Sequence, residues 1–166
     1  GYLFSVHMVQ YMLMSFGAAP LLVAGTPRWM LVTLTQPFRG ILDRLTHPVV
    51  ALLVFNVVLV VSHWPALVDV YLRVDLVHFG MHALWVVAAV LFWMPVLNRA
   101  PETFRKLSPP LQMAYLFLSS VVPTLPGSFL TWAETSPYPA YAAAPRLWGM
   151  SPVEDMQATG AVMKVG

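Results

Sequence analysis

VHFGMHALWVVAAVLFWMPVL, residues Val77 to Leu97, contains no Asp, Glu, Lys or Arg, and coiled into a helix it reaches about 30 Å, the thickness of a bilayer's hydrocarbon core. Asp75 stands before it and Asn98-Arg99-Ala100-Pro101 after it, so both boundaries are abrupt. Inside it only His78 and His82 are ionisable. A run of this length and polarity reads as a membrane span, not as the amphipathic helix of a soluble domain.

Four further segments read the same way. Tyr2 to Val23 is apolar apart from His7, Gln10, Tyr11 and Ser15, and Gly25-Thr26-Pro27 closes it. Thr46-His47-Pro48 opens the next, with Thr46 suited to cap the helix and Pro48 to its first turn; Pro65 ends it after His63-Trp64. Pro110 to Trp132 contains Pro123, Pro126 and Gly127, which bend a helix and turn it toward protein or water rather than lipid. Ser151-Pro152-Val153-Glu154 is a capping-box pattern with Pro at the first helical position, so a last helix starts there. The expected fold is an all-α, polytopic transmembrane helix bundle, one domain over residues 1–166, with about five spans near 2–23, 48–64, 77–97, 110–132 and 152–166.

The connections are also informative. Trp29 to Leu34 and Phe38 to Leu45 suit short amphipathic helices lying along the interface. The loop from Ala133 to Gly149 holds Tyr138-Pro139-Ala140-Tyr141 and Pro145-Arg146-Leu147-Trp148, which suit the interfacial aromatic belt. Both ends read as cut, since Gly1 enters an apolar run directly and Gly166 stops inside a helix, so the chain is expected to be a fragment of a larger protein.

Composition narrows the chemistry. Hydrophobic residues make up 58% of the chain and charged residues 10%, against about 25% charged in soluble domains. The net charge is +2 with the basic residues scattered, so nucleic acid is not an expected partner. Without cysteine there are no disulfides, thiolate metal sites or thiol nucleophiles, and any metal must be held by His, Met, Tyr or carboxylate. The spacing of His78 and His82 lacks the Glu of His-Glu-x-x-His, and neither a Gly-rich phosphate loop nor a Ser nucleophile elbow occurs. A non-enzymatic role is the expectation.

Lys and Arg concentrate on the cytoplasmic side of membrane proteins. Arg28, Arg39 and Arg44 lie in one connection and Arg99, Arg105 and Lys106 in another, against only Arg73 and Arg146 in the remaining two. With the two basic connections inside, His7, His63, His78 and His82 all fall near the outer ends of their spans; His47 is the exception.

His78 and His82 are four apart and so share one helix face, a spacing able to bind one metal ion. Asp75 and Met81 lie on or beside that stripe, at three before and three after His78. His7, Gln10, Tyr11 and Met14 form a second polar face, with Met8 and Met12 adjacent. Imidazole suits both copper oxidation states and thioether favours Cu(I), although the same residues also suit zinc or haem. The candidate metal residues are His78, His82, His63, His7, Met8, Met81 and Asp75. Asp75 and Asp155 also suit helix N-termini, and Lys164 reads as a functional or snorkelling charge.

His7-Met8-Val9-Gln10, Thr46-His47-Pro48, Ser62-His63-Trp64-Pro65, His78 to His82 with Leu91-Phe92-Trp93-Met94-Pro95-Val96-Leu97, and Tyr138-Pro139-Ala140-Tyr141 through Arg146-Leu147-Trp148-Gly149 together resemble the CtaG family of bacterial cytochrome c oxidase assembly factors. The resemblance spans essentially the whole chain. It implies a seven-span protein of which this chain supplies about five, sometimes fused in actinobacteria to a copper-resistance membrane domain. It also implies a location in the bacterial plasma membrane, copper as the metal, and a cytochrome c oxidase subunit and the lipid bilayer as partners. The family's first motif often reads His-Met-x-x-His, and here Tyr11 stands at the second His position. The leading expectation is an assembly factor that binds copper at the outer face and passes it to the oxidase; the alternatives are a haem-binding redox protein and a copper permease.

Overall fold

The computed structural model describes residues 3–101, 103–143, 145 and 149–165. The described elements are helical: α1 (Phe4–Met12), a π-helical segment (Leu13–Ala18), α2 (Ala19–Gly25), α3 (Arg28–Thr35), a 3₁₀ turn (Gln36–Phe38), α4 (Arg39–Leu45), α5 (Pro48–Ser62), α6 (Pro65–Arg73), α7 (Asp75–Leu97), α8 (Pro109–Thr131), α9 (Pro139–Ala142) and α10 (Pro152–Val165). Three continuous helices are long and apolar enough to cross a bilayer: Phe4–Gly25, Asp75–Leu97 and Pro109–Thr131. The pair Arg28–Leu45 and Pro48–Ser62, which meet at 84°, is apolar enough to add a fourth crossing if it forms one broken span. α10 begins where the capping pattern places it: the Ser151 amide donates to Glu154 Oε2 at 2.7 Å and the Glu154 amide to Ser151 Oγ at 3.2 Å. Those bonds also hold the Glu154 carboxyl below the usual carboxylate range.

Local sequence explains the irregularities. Pro20 has no N–H for the carbonyl four residues back and its ring clashes there, which favours a wider turn in the preceding segment. The π-helical Leu13–Ala18 lies there, and the Ser15 carbonyl accepts the Trp93 indole N–H from α7 at 2.9 Å. Thr46 was expected to cap α5, but its hydroxyl donates to the Leu42 carbonyl at 2.7 Å, closing α4, and His47 takes the N-cap position. A threonine hydroxyl readily bonds the carbonyl one turn back. α6, read from sequence only as a connection, forms because Pro65 opens it and Val68 and Tyr71 present one buried face. Pro95, Pro123 and Pro126 sit inside helices that remain continuous.

α5 runs antiparallel to α7, and Phe55 stacks on Phe92 at 4.6 Å between ring centroids. Phe92 stacks in turn on Tyr115 of α8 at 4.9 Å, and the Tyr115 hydroxyl donates to the Phe92 carbonyl at 3.0 Å. The two basic connections meet at one end of the bundle, where Leu31, Ala100 and Phe104 pack with Val23 and Met94. Phe79, Met113, Phe117, Leu125, Phe129 and Trp132 point outward and are largely exposed, the pattern of helices whose solvent is lipid. Tyr138 and Tyr141, expected in the interfacial belt, are instead buried, with Phe4 4.4 and 4.9 Å from their rings. Burying two rings against α1 outweighs leaving them at the interface, because each removes a large apolar area from water. Arg146, Leu147 and Trp148 of the same expected belt lie outside the described residues.

α8 and α10 approach closely where Gly127 faces Gly160. A Cβ added to Gly160 would stand 2.5 Å from the Gly127 carbonyl oxygen and 2.6 Å from the Thr131 amide nitrogen. Small residues permit this kind of backbone approach between membrane helices. Gly160→Ala is therefore expected to lower stability by about 1–3 kcal/mol. Gly17→Ala, with nothing within 4 Å of the added carbon, should have a much smaller effect, and thermal unfolding of the two variants in one detergent checks the contrast.

Candidate metal centre

α1 and α7 begin at the same end of the bundle, and His7 is the fourth residue of one as His78 is of the other, with His82 one turn further on. Four-residue spacing puts His78 and His82 on one stripe, and their rings meet edge to face at 4.6 Å. His7 approaches both, at 5.8 Å from His78 and 5.7 Å from His82. One ring nitrogen from each of the three histidines can be chosen so that all lie within 4.8 Å of one another.

Imidazole nitrogens bound to a single ion at about 2.0–2.1 Å stand no more than about 4.2 Å apart. Closing the 4.8 Å triangle onto an ion thus requires only small side-chain rotations. The nitrogens themselves call for a partner: Nε2 of His78 and Nε2 of His82 are both buried without a hydrogen bond. An orphaned buried polar atom costs on the order of 1–3 kcal/mol. A metal ion would remove that cost at both nitrogens, so the donor set fits a metal that accepts neutral nitrogen ligands, copper and zinc among them.

The wall of the site is aromatic. Tyr71 of α6 places its hydroxyl 3.4 Å from His7 Nε2, and its ring stacks on His78 at 5.8 Å. Trp85, one turn beyond His82, has its ring 5.1 Å from both His7 and His82. Burial pushes the Tyr71 phenol well above its ordinary range, with neighbouring Tyr141 and Tyr138 adding to the shift. Tyr138 is likewise pushed up to about 12 by burial. Tyr71 thus faces His7 as a neutral hydroxyl.

The remaining sequence candidates are not brought into the triad. His63 stacks on Trp85 at 5.7 Å, its Nδ1 lies 2.7 Å from the Leu59 carbonyl, and its Nε2 is buried without a partner. Its backbone carbonyl accepts the Tyr138 hydroxyl at 2.7 Å. Met8 is fully buried in the main core and Met81 is half-buried against it. Asp75, exposed in the first turn of α7, stands outside the histidine group. Tyr11, at the position where the resembled motif often has His, has its ring 5.4 Å from His63 and 5.0 Å from Trp85. Sequence reading missed Trp85 and Tyr71. Trp85 was within reach, being three after His82 and seven after His78 on the same stripe. Tyr71 was hidden because its segment carried no sign of joining the bundle.

Comparison with curated proteins and with solved structures yields no match. The model of one protein family, described as the cytochrome c oxidase caa3 assembly factor, matches residues 1–166. A match over the whole length, together with membrane-spanning helices that gather His7, His78 and His82 at one end, places this chain in the cytochrome c oxidase caa3 assembly factor family.

Proposed function

We propose that this membrane protein binds one copper ion through His7, His78 and His82 at the outer face of the bacterial plasma membrane and passes it to a cytochrome c oxidase subunit during assembly. The observation that carries this reading is the convergence of three imidazole nitrogens within 4.8 Å, drawn from two helices, at the end of the bundle opposite the basic connections. Arg28, Arg39, Arg44, Arg99, Arg105 and Lys106 lie in those connections, and the positive-inside rule assigns such segments to the cytoplasm. The triad then faces the compartment outside.

The donor set suits a carrier. Three neutral imidazoles hold either oxidation state of copper without a thiolate, and the absence of a charged ligand in the group leaves the ion open to exchange onto a stronger acceptor. Met8, next to His7, and Met81, next to His82, provide thioethers that favour Cu(I) if the helices shift on loading. Chemistry beyond ligand exchange is not required, consistent with a non-enzymatic role.

Protein purified in detergent and supplied with Cu(I) under reducing conditions is expected to retain about one copper per chain by elemental analysis. The His78→Ala, His82→Ala double variant should retain none, and His7→Ala should bind at least tenfold more weakly. Copper at equal stoichiometry in the double variant would remove the triad as the site. In cells, the double variant is expected to leave oxidase apoprotein in the membrane with reduced copper content and activity. Unchanged oxidase copper would exclude the delivery step even if the purified protein binds the metal.

A further inference from the structure

The ligand-bearing start of α1 has no cap of its own. Leu3 occupies the N-cap position and makes no side-chain capping bond. The first amides of a helix lack intrahelical acceptors and must find others. Here the acceptor comes from the far end of the sequence: Asp155 of α10 receives the Phe4 amide on Oδ2 at 2.7 Å and the Ser5 amide on Oδ1 at 3.0 Å, and Ser5 Oγ lies 2.5 Å from the same Oδ1. Asp155 is 2% exposed, so these are buried, charge-assisted bonds in a water-poor setting. A carboxylate at a helix N-terminus also complements the helix dipole.

His7 follows directly. Its own amide makes the first backbone bond of the helix, to the Leu3 carbonyl at a long 3.3 Å. Its side chain makes one long hydrogen-bond contact, to Tyr71 at 3.4 Å, and is otherwise packed among rings, Phe4 at 6.1 Å and Trp85 at 5.1 Å. The turn just before it therefore helps to set where the His7 ring stands against His78 and His82, and Asp155 binds that turn. α10 is in turn held to α8 through the Gly127 and Gly160 contact.

We propose that Asp155 is the positioning residue of the metal centre: its carboxylate, bound to the Phe4 and Ser5 amides and the Ser5 hydroxyl, holds His7 in register with His78 and His82. This rests on the copper reading for its consequence but not for its geometry. Asn at position 155 keeps the shape, loses the charge and presents an NH₂ group to an N–H donor, so at least one of the bonds is lost.

The test compares Asp155→Asn, Ser5→Ala and Glu154→Ala in the full-length detergent-purified protein. Glu154→Ala breaks the capping box of α10 without touching α1 and controls for general loosening of that helix. The first readout is metal-free: modification of His7 by diethylpyrocarbonate, followed by peptide mass spectrometry. His7, 3% exposed, should be protected in the wild type and in Glu154→Ala, reactive in Asp155→Asn, and intermediate in Ser5→Ala. The second readout is Cu(I) affinity with the ligand count from X-ray absorption. Asp155→Asn is expected to bind roughly 10- to 100-fold more weakly, the range typical for loss of an outer-shell support, with one imidazole fewer at the metal. Protection of His7 in Asp155→Asn, or equal exposure in Glu154→Ala, overturns the proposal. Should Asp155→Asn fail to fold, Ser5→Ala against Glu154→Ala decides it on the same two readouts. A wild type that takes up no copper while His7 responds as described would overturn the copper reading and leave the positioning role standing.

Discussion

A helix in hydrocarbon must satisfy its backbone polar groups inside the protein, because the solvent offers neither donors nor acceptors. Much of what is distinctive in this bundle is a repair made under that constraint. The π-helical stretch before Pro20 frees a carbonyl at Ser15, and an indole from α7 binds it. The uncapped start of α1 is closed by a carboxylate from α10. Each repair is a contact between elements distant in sequence, so the need to seal one helix fixes its position against another. The indole bond ties the first span to α7 and the Asp155 bonds tie its start to α10, and both bear on where His7 stands opposite His78 and His82.

Sealing is incomplete at the triad, as it also is at Asn56 Oδ1, His63 Nε2 and Trp85 Nε1. Apolar packing could have surrounded α7's first turns at no polar cost, yet two imidazole nitrogens there are buried with nothing to bind. Polar groups inside membrane segments are expensive and generally mark function. Their cost falls on the same few residues that would carry the proposed chemistry, beside the rings of Trp85 and Tyr71. Stability elsewhere, from the Phe55, Phe92 and Tyr115 stack and the close α8 and α10 approach, offsets that local deficit.

Much of this was legible in the sequence, and the reasons are specific. Val77 to Leu97 announces a span because length and apolarity are properties of a contiguous run, and the His78 and His82 pair is legible because helical periodicity is local. Ser151 to Glu154 is legible as a cap for the same reason, and its two reciprocal bonds form as expected. What was not legible depends on contacts between distant segments. The sequence marks Asp155 as a residue suited to a helix N-terminus, but nothing local says that the helix it caps begins 151 residues earlier. Tyr138 and Tyr141 carry an interfacial signature, and contacts distant in sequence, with Phe4 and the His63 carbonyl, draw them into the core. Thr46 chooses between two helices that meet beside it, and the choice falls to α4 because its hydroxyl reaches the Leu42 carbonyl one turn back.

The two ends of the bundle are built for different surroundings, and this bears on how a carrier could work. The end formed by α3, α4 and the segment after α7 is basic and closed by Val23, Leu31, Met94, Ala100 and Phe104, an apolar plug beneath charged connections. The other end has few basic groups and gathers imidazoles, phenols and an indole. A route for an ion through the whole bundle would have to cross that plug and the Phe55, Phe92 and Tyr115 stack, where the packed groups are aromatic rings rather than ligands. The triad, by contrast, lies within two helical turns of the starts of α1 and α7, with His78 and His82 only partly buried. On the proposed copper role, loading and release from the same side thus require far less rearrangement than passage across the membrane, which favours a site that meets its partner at one surface over a permeation path.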